Sequence, residues 1–275
     1  MVVINEKAIG MSMTQYKYIY GPVYSWRLGM SLGIDPLAQA DKVCNFDCIY
    51  CQLGRTTDFS NERKEYVATK NLMEEVQSLP QELKIDYLTF SGRGEPTLAK
   101  NLGAMIKALK KSRAEKVAVL TNSALLSRGD VRDDLSLSDF VMAKLDVSSQ
   151  KMLTAIDQAI EGIKFQDIVK GIVTFHEMFT GKLALQIMLL PDNKRYFKKI
   201  AQVARLIGPD EVQLNTPLRP CGVEPLSREE MWEAKENFEG MNVVSVYDVE
   251  RKELEPFNFK DTVKRHGNYR IPVGS

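Results

Sequence analysis

The chain has 275 residues, 44% hydrophobic and 27% charged, and its 37 basic and 36 acidic side chains leave a formal net charge of +1. This composition fits a globular protein of one large or two small domains, and the balanced charge demands neither a nucleic-acid nor a membrane partner. No stretch approaches the roughly 18 apolar residues that span a bilayer, and the first twenty residues lack the pattern of a secretory leader, so a cytoplasmic protein without a membrane partner is expected.

Residues 1–27 give no clear periodicity. A short strand is predicted over 30–34, and a cysteine-bearing loop follows at once. From residue 62 the rhythm is regular. "TKNLMEEVQSL" (69–79) has helical spacing, and "KIDYLTFSG" (84–92) reads as a buried strand ending in a glycine-rich turn. "NLGAMIKALKK" is the next helix, "KVAVLTNS" the next strand, and "RGDVRDDLSL" a helical or irregular piece. "DFVMAKLDVSS" is a strand, "FQDIVKGIVTFHEMF" a helix and "KLALQIMLL" an apolar strand. "NKRYFKKIAQVARLIG" is a helix closed by Gly208. "DEVQLNTPL" is a strand, and "SREEMWEAKENFEG" is a helix with Ser227 as N-cap and Glu230 three residues on. "NVVSVYD" is a further strand candidate, and the tail from Lys264 is expected to be loosely held.

Strands alternating with helices imply βαβ crossovers and a parallel sheet covered by helices, either curled or open. Polar residues gather at the strand ends, where such folds place their sites. These are Ser91 to Glu95, Thr121 and Asn122, Lys144 and Asp146, and Asn215 and Thr216.

Three of the four cysteines, Cys44, Cys48 and Cys51, fall within eight positions. Clustered thiolates suit zinc or an iron-sulfur cluster. A structural zinc site wants a fourth ligand, for which Cys221, His176 and His266 are the candidates. Three cysteines on a four-iron cluster would instead leave one iron open. Spacing alone does not choose between these, or exclude buried cysteines without a metal. Lys144 and Asp146, two apart on a strand, share a face and can neutralise each other. Asn122 either caps the next segment or offers a donor and an acceptor to a ligand. Gln186 is a polar position inside an apolar strand, facing a lumen or a partner amide. Arg55, Arg63 and Lys64, "NKRYFKK" and "KRHGNYR" are basic patches that either meet phosphates or are solvated surface.

The blocks "GPVYSWRLGMSLGID" (21–35), "CNFDCIYCQLG" (44–54), "YLTFSGRGEPTL" (87–98), "VAVLTNSALL" (117–126) and "VQLNTPLRP" (212–220) resemble the radical S-adenosylmethionine (SAM) superfamily. Within it, they are most similar to iron-sulfur oxidoreductases related to wyosine tRNA-modifying enzymes. The resemblance covers roughly residues 20–225. It implies an α/β fold, a partial (β/α)6 TIM-like barrel over 21–240, with extensions at 1–20 and 241–275. It also implies a [4Fe-4S] cluster on Cys44, Cys48 and Cys51, whose open iron takes the amino and carboxylate groups of SAM. An electron donor such as flavodoxin or ferredoxin would drive cleavage of SAM to a 5'-deoxyadenosyl radical, which abstracts hydrogen from a substrate: a tRNA base, or alternatively a peptide or small metabolite. A non-catalytic zinc-stabilised binding protein is the contrasting class.

The resemblance makes Tyr50, just before the last cysteine, a cofactor neighbour. The turn Gly92, Arg93, Gly94 and Glu95 would receive the amino group of SAM, with Arg93 standing where the family has glycine. Asn122, Asp146, Gln186 and Asn215 are further cofactor-binding candidates, with Thr216 beside Asn215. Lys144 is a catalytic candidate. Cys221 is another, as a hydrogen donor, a ligand of a second metal, or an idle thiol. Residues 156–165, "IDQAIEGIKF", depart from the family pattern, so substrate contacts there are expected to differ.

Overall fold

The computed structural model describes residues 16–80, 82–249, 256, 257 and 259–266. Its main sheet has eight strands in the order β1 (Ile19–Ser25), β2 (Gly29–Ile34), β5 (Tyr87–Phe90), β6 (Lys116–Thr121), β7 (Phe140–Lys144), β8 (Lys182–Met188), β9 (Glu211–Asn215) and β10 (Val243–Ser245). All neighbours are parallel except β1, which runs antiparallel to β2. The linear order leaves the sheet curled but not closed, a half-barrel of the expected partial TIM-like kind. The sheet extends beyond 21–240 at both ends, from Ile19 to Ser245. A small ribbon of β3 (Val43–Cys44) and β4 (Asp58–Phe59) lies across the top.

Helices α1 (Thr69–Gln77), α2 (Leu102–Ser112), α3 (Gly129–Leu135), α5 (Phe165–Met178), α6 (Phe197–Ile207) and α7 (Arg228–Glu236) return the chain between strands, with one extra turn, α4 (Gln150–Met152), after β7. Their apolar stripes make the main core against alternate strand residues such as Leu183, Leu185 and Ile187. Each leucine buried this way stabilises by roughly 2 kcal/mol. The other sheet face carries a second apolar cluster, Leu28, Ala118, Phe140, Met142 and Ala184, which floors the lumen. On α6, Phe197, Ile200, Ala201, Ala204 and Ile207 recur at helical spacing, and Gly208 ends it with φ of 63°. Ser227 and Glu230 form the expected reciprocal cap of α7.

Two terminal elements differ from the sequence reading. Strand β1 forms where no periodicity was visible, with the Tyr20 ring covering Gly33, whose missing Cβ would stand 2.1 Å from that ring. The tail is not loosely held throughout: α8 (Phe259–His266) packs on β1 and buries Arg265. Residues 1–15 of the N-terminal extension and 267–275 of the tail lie outside the described residues.

Candidate functional site

The loop after β2 carries the cysteines over the C-terminal ends of the strands. Asp47, inside the "CNFDC" block, organises it from within. Its carboxylate accepts the Thr56 N–H at 2.7 Å and pairs with Arg55 at 2.7 Å and Lys42 at 3.8 Å. Thr56 Oγ1 donates to Phe46 O at 2.6 Å, and Lys42 Nζ donates to Gly54 O at 3.0 Å. Below the loop runs a π-helical turn, Leu153–Asp157. The N–H of Asp47 donates to Asp157 O at 3.0 Å, that of Ile49 to Ile156 O at 2.9 Å, and that of Ile160 to Asn45 O at 2.9 Å. Residues 156–160 are therefore a strap that fixes the cysteine loop.

The thiol environment fits a bound iron-sulfur group. Burial, with Glu95 adding to it, pushes the Cys44 thiol up to about 12, and burial with Asp157 raises Cys48 well above the usual range. A bare thiolate is disfavoured there, so these thiols are protonated unless a metal cation binds them. Cys44 Sγ already accepts the Phe46 N–H at 3.4 Å, and the Asn45 Nδ2 beside it is buried without a protein partner. Among the described residues no three cysteine, histidine or carboxylate side chains converge on one ion. Cluster cysteines need not converge, because each binds its own iron.

The turn after β5 brings the next group of candidates. The Arg93 carbonyl accepts the Val43 N–H at 3.2 Å and the Glu95 N–H donates to Val43 O at 3.1 Å, locking the turn to the residue before Cys44. Gly92 and Gly94 have φ of 136° and 153°. A Cβ at Gly92 would meet Asp35 Cγ at 2.5 Å, and one at Gly94 would meet Val43 O at 1.8 Å. Only glycine allows this close approach. The Glu95 carboxylate is buried and accepts four hydrogen bonds, from Thr97 N (3.1 Å), Thr97 Oγ1 (2.6 Å), Thr121 Oγ1 (2.6 Å) and Asn122 N (2.7 Å). Its side chain ties two strand ends together, which leaves ligand contacts at this turn to the backbone. Asn122 Nδ2 donates to Asn45 Oδ1 at 2.6 Å and reaches Cys44 Sγ at 3.7 Å, while its Oδ1 caps Ala124 N at 3.0 Å.

Beside the cysteines lies a largely buried ionic cluster, with Lys144 partly exposed. Lys144 Nζ is 2.9 Å from the Tyr50 hydroxyl and 3.4 Å from Asp146 Oδ2. The Tyr50 hydroxyl lies between the carboxylates of Asp146 and Asp157, 3.0 Å from the latter. Asp146 is held by the Met188 N–H at 2.5 Å. Burial alone would lower the Lys144 ammonium, yet Asp146, Cys48 and Asp157 together hold it above its ordinary value. Burial and then Asp146 raise the Asp157 carboxyl to about 7. Together with Phe46, Asn122 and Leu153 these residues line a cavity of about 10 Å³, room for one water.

Gln186 and Gln213 continue the Lys144 row across β8 and β9, and Gln186 Nε2 is buried without a partner. Asn215 reaches the rim but turns its Oδ1 back onto Thr216 N at 3.0 Å. Buried Thr216 donates to Leu189 O at 3.0 Å and accepts from Leu226 N at 2.9 Å. Cys221 is half-buried, donating to Val223 O at 3.3 Å. Its loop abuts the cysteine loop, since Arg219 donates to Gln52 Oε1 at 2.6 Å. Of the basic patch, Arg55 is 84% exposed, whereas Arg63 is buried by Asp130 and Asp134, which removes it as a phosphate ligand. Arg265 is likewise taken from the tail patch. Sequence reasoning missed Asp47, Asn45, Asp157 and Asp35.

Residues 42–204 match the model of the radical SAM superfamily. A UPF0026 protein of Synechocystis sp. is 44% identical over 78% of this chain and 80% of its own. The crystal structure of Streptococcus suis SuiB bound to precursor peptide SuiA superposes with a TM-score of 0.60 at 14% identity, covering 78% of this chain and 48% of SuiB. The chain thus spans about half the length of that protein. The crystal structure of archaeal TYW1 gives 0.56 at 13% identity, over 80% of this chain and 74% of the other. These two likenesses are of fold.

Proposed function

Because the chain belongs to the radical SAM superfamily and is an enzyme of that class, we propose that Cys44, Cys48 and Cys51 hold one [4Fe-4S] cluster with SAM bound at the adjoining rim. The observation that carries this reading is the backbone junction between Val43 and the Gly92–Glu95 turn, which sets a side-chain-free surface directly beside Cys44. When bound, the cluster and SAM supply one-electron cleavage of the sulfonium bond and a carbon radical that takes hydrogen from the substrate.

The chain's own residues do the rest. The turn offers backbone groups to the amino-acid end of SAM, at the one place where no Cβ intervenes. Asn122, held by Asn45 and Glu95, braces the rim beside Cys44. The apolar floor and the burial of Cys44 limit access of water from below. The electron comes from a donor such as flavodoxin or ferredoxin.

The substrate we favour is a tRNA base, on the resemblance of the sequence blocks and on the exposed Arg55 beside the cysteines. A peptide is the second class, supported by the fold shared with SuiB holding its precursor peptide. Anaerobically purified protein should contain close to four iron and four sulfide per chain, both lost when the three cysteines become alanine. Reduced protein should release 5'-deoxyadenosine from SAM, faster with bulk tRNA than with ribonuclease-treated tRNA. Zinc in place of iron, even after reconstitution, would refute the reading. Stimulation by peptides alone would move the substrate to the second class.

A further inference from the structure

Helix α8 lies outside residues 42–204 and outside every block of the sequence resemblance, yet it reaches the site. It docks on β1, where the Gly21 N–H donates to Thr262 Oγ1 at 3.1 Å and the Phe257 N–H donates to Gly21 O at 2.7 Å. From it Arg265 turns inward. Its Nε lies 3.0 Å from Asp35 Oδ2, its Nη2 donates to Lys17 O at 2.6 Å, and its Nη1 is 2.8 Å from Asp261 Oδ2. The guanidinium stands 5.8 Å from the Tyr20 ring. The Arg265 and Asp35 side chains are 8% and 1% exposed, so the pair is sealed from water.

Asp35 links two parts of the rim. Its Oδ1 accepts the N–H groups of Leu37 (3.2 Å) and Ala38 (2.9 Å), at the start of the passage into the cysteine loop. Its Oδ2 accepts the Arg93 N–H at 3.3 Å, in the turn after β5. Its carboxyl also fills the space a side chain on Gly92 would need. Without Arg265 this carboxylate would be a buried charge with no cation beside it. It would take up a proton or draw in water, and its grip on the Arg93 N–H would go.

We propose that Arg265 is a positioning residue of the SAM site: through Asp35 it fixes the Gly92–Glu95 turn that receives the amino-acid end of the cosubstrate. This rests on the placement of SAM at that turn made above. The partners of Arg265 are Asp35, Lys17 and Asp261, none of them a cysteine, so it governs SAM affinity rather than cluster assembly or turnover.

The experiment uses the full chain, reconstituted anaerobically, as wild type, Arg265→Met, Arg265→Lys and Asp35→Asn. SAM affinity is read by equilibrium dialysis, alongside iron content, unfolding temperature and 5'-deoxyadenosine release at saturating SAM. Arg265→Met and Asp35→Asn should weaken SAM binding by about tenfold or more, with iron content kept and the saturated rate within about twofold. Arg265→Lys retains the charge but not the three-way fork, and should fall between. Unchanged affinity in both Arg265→Met and Asp35→Asn would overturn the proposal. So would a loss of affinity matched by loss of iron and a fallen unfolding temperature, which is the mark of a purely structural role. A wild type that binds iron but no SAM would refute the underlying site reading before any variant is compared.

Discussion

Two ionic clusters in this molecule each set a central cation against two carboxylates, and they have opposite characters. In one, Arg63 joins Asp130 and Asp134 on α3 and also donates to Thr97 O at 2.8 Å and Ala99 O at 3.0 Å. Asp130 is 50% exposed. Bonding to Arg128, and then to Arg63, holds its carboxyl well below the ordinary range. In the other, Lys144 faces Asp146 and Asp157 with the Tyr50 phenol between them, and there burial raises the Asp157 carboxyl instead. The planar Arg63 fork gives each acceptor its own N–H, and Arg128 supplies the second positive charge at Asp130. Lys144 is a point charge in a narrow pocket, where it pairs with Asp146 and burial favours the protonated form of Asp157. A cation between two carboxylates therefore makes a brace where a second arginine, Arg128, completes the pairing, and a poised polar site where none does.

The largest expected contrast is between Lys144→Met and Arg63→Met. Lys144→Met should lower 5'-deoxyadenosine release by about 100-fold while iron content is retained. Arg63→Met should lower the unfolding free energy by about 2 kcal/mol while folded molecules keep their rate. A comparable loss of rate per folded molecule in both would break the distinction. The smallest contrast is in acid. A carboxyl depressed in the folded state stabilises above its unfolded value and loses that contribution as pH falls through the folded one. Asp130→Asn should therefore cost about 0.5 kcal/mol at neutral pH, and the gap to wild type should close as pH falls below the ordinary value of 3.8. Denaturant titrations at pH 7 and in strong acid check this, and a gap that persists in acid would mean that packing rather than charge is lost.

The strand-helix ladder was legible because its apolar periods are long and uninterrupted, and the cysteine loop because its spacing is distinctive. Strand β1 was not, because Gly21 and Pro22 interrupt its alternation and its register shifts between Tyr20 and Val23. Lys144 and Asp146 could be paired from their two-residue spacing. Asp157 could not be added, since it arrives from a π-helical turn with no sequence signature. Glu95 was visible as a carboxylate beside the glycines, but two of the four donors that occupy it come from the end of β6, some 26 residues away. Arg63 sits in the polar run "NERKEY", which gives no sign that α3 covers it. Asp35 and Arg265 are 230 positions apart, and no local pattern encodes their meeting.

The turn after β5 also constrains how this protein can change over generations. Position 92 is closed to any side chain by Asp35, and position 94 by the Val43 carbonyl. Between them, position 93 already carries an arginine, half-buried at the rim. Inheritance can therefore write new chemistry into this turn at one residue alone, and a lineage that retunes it must do so there or move the surrounding scaffold first.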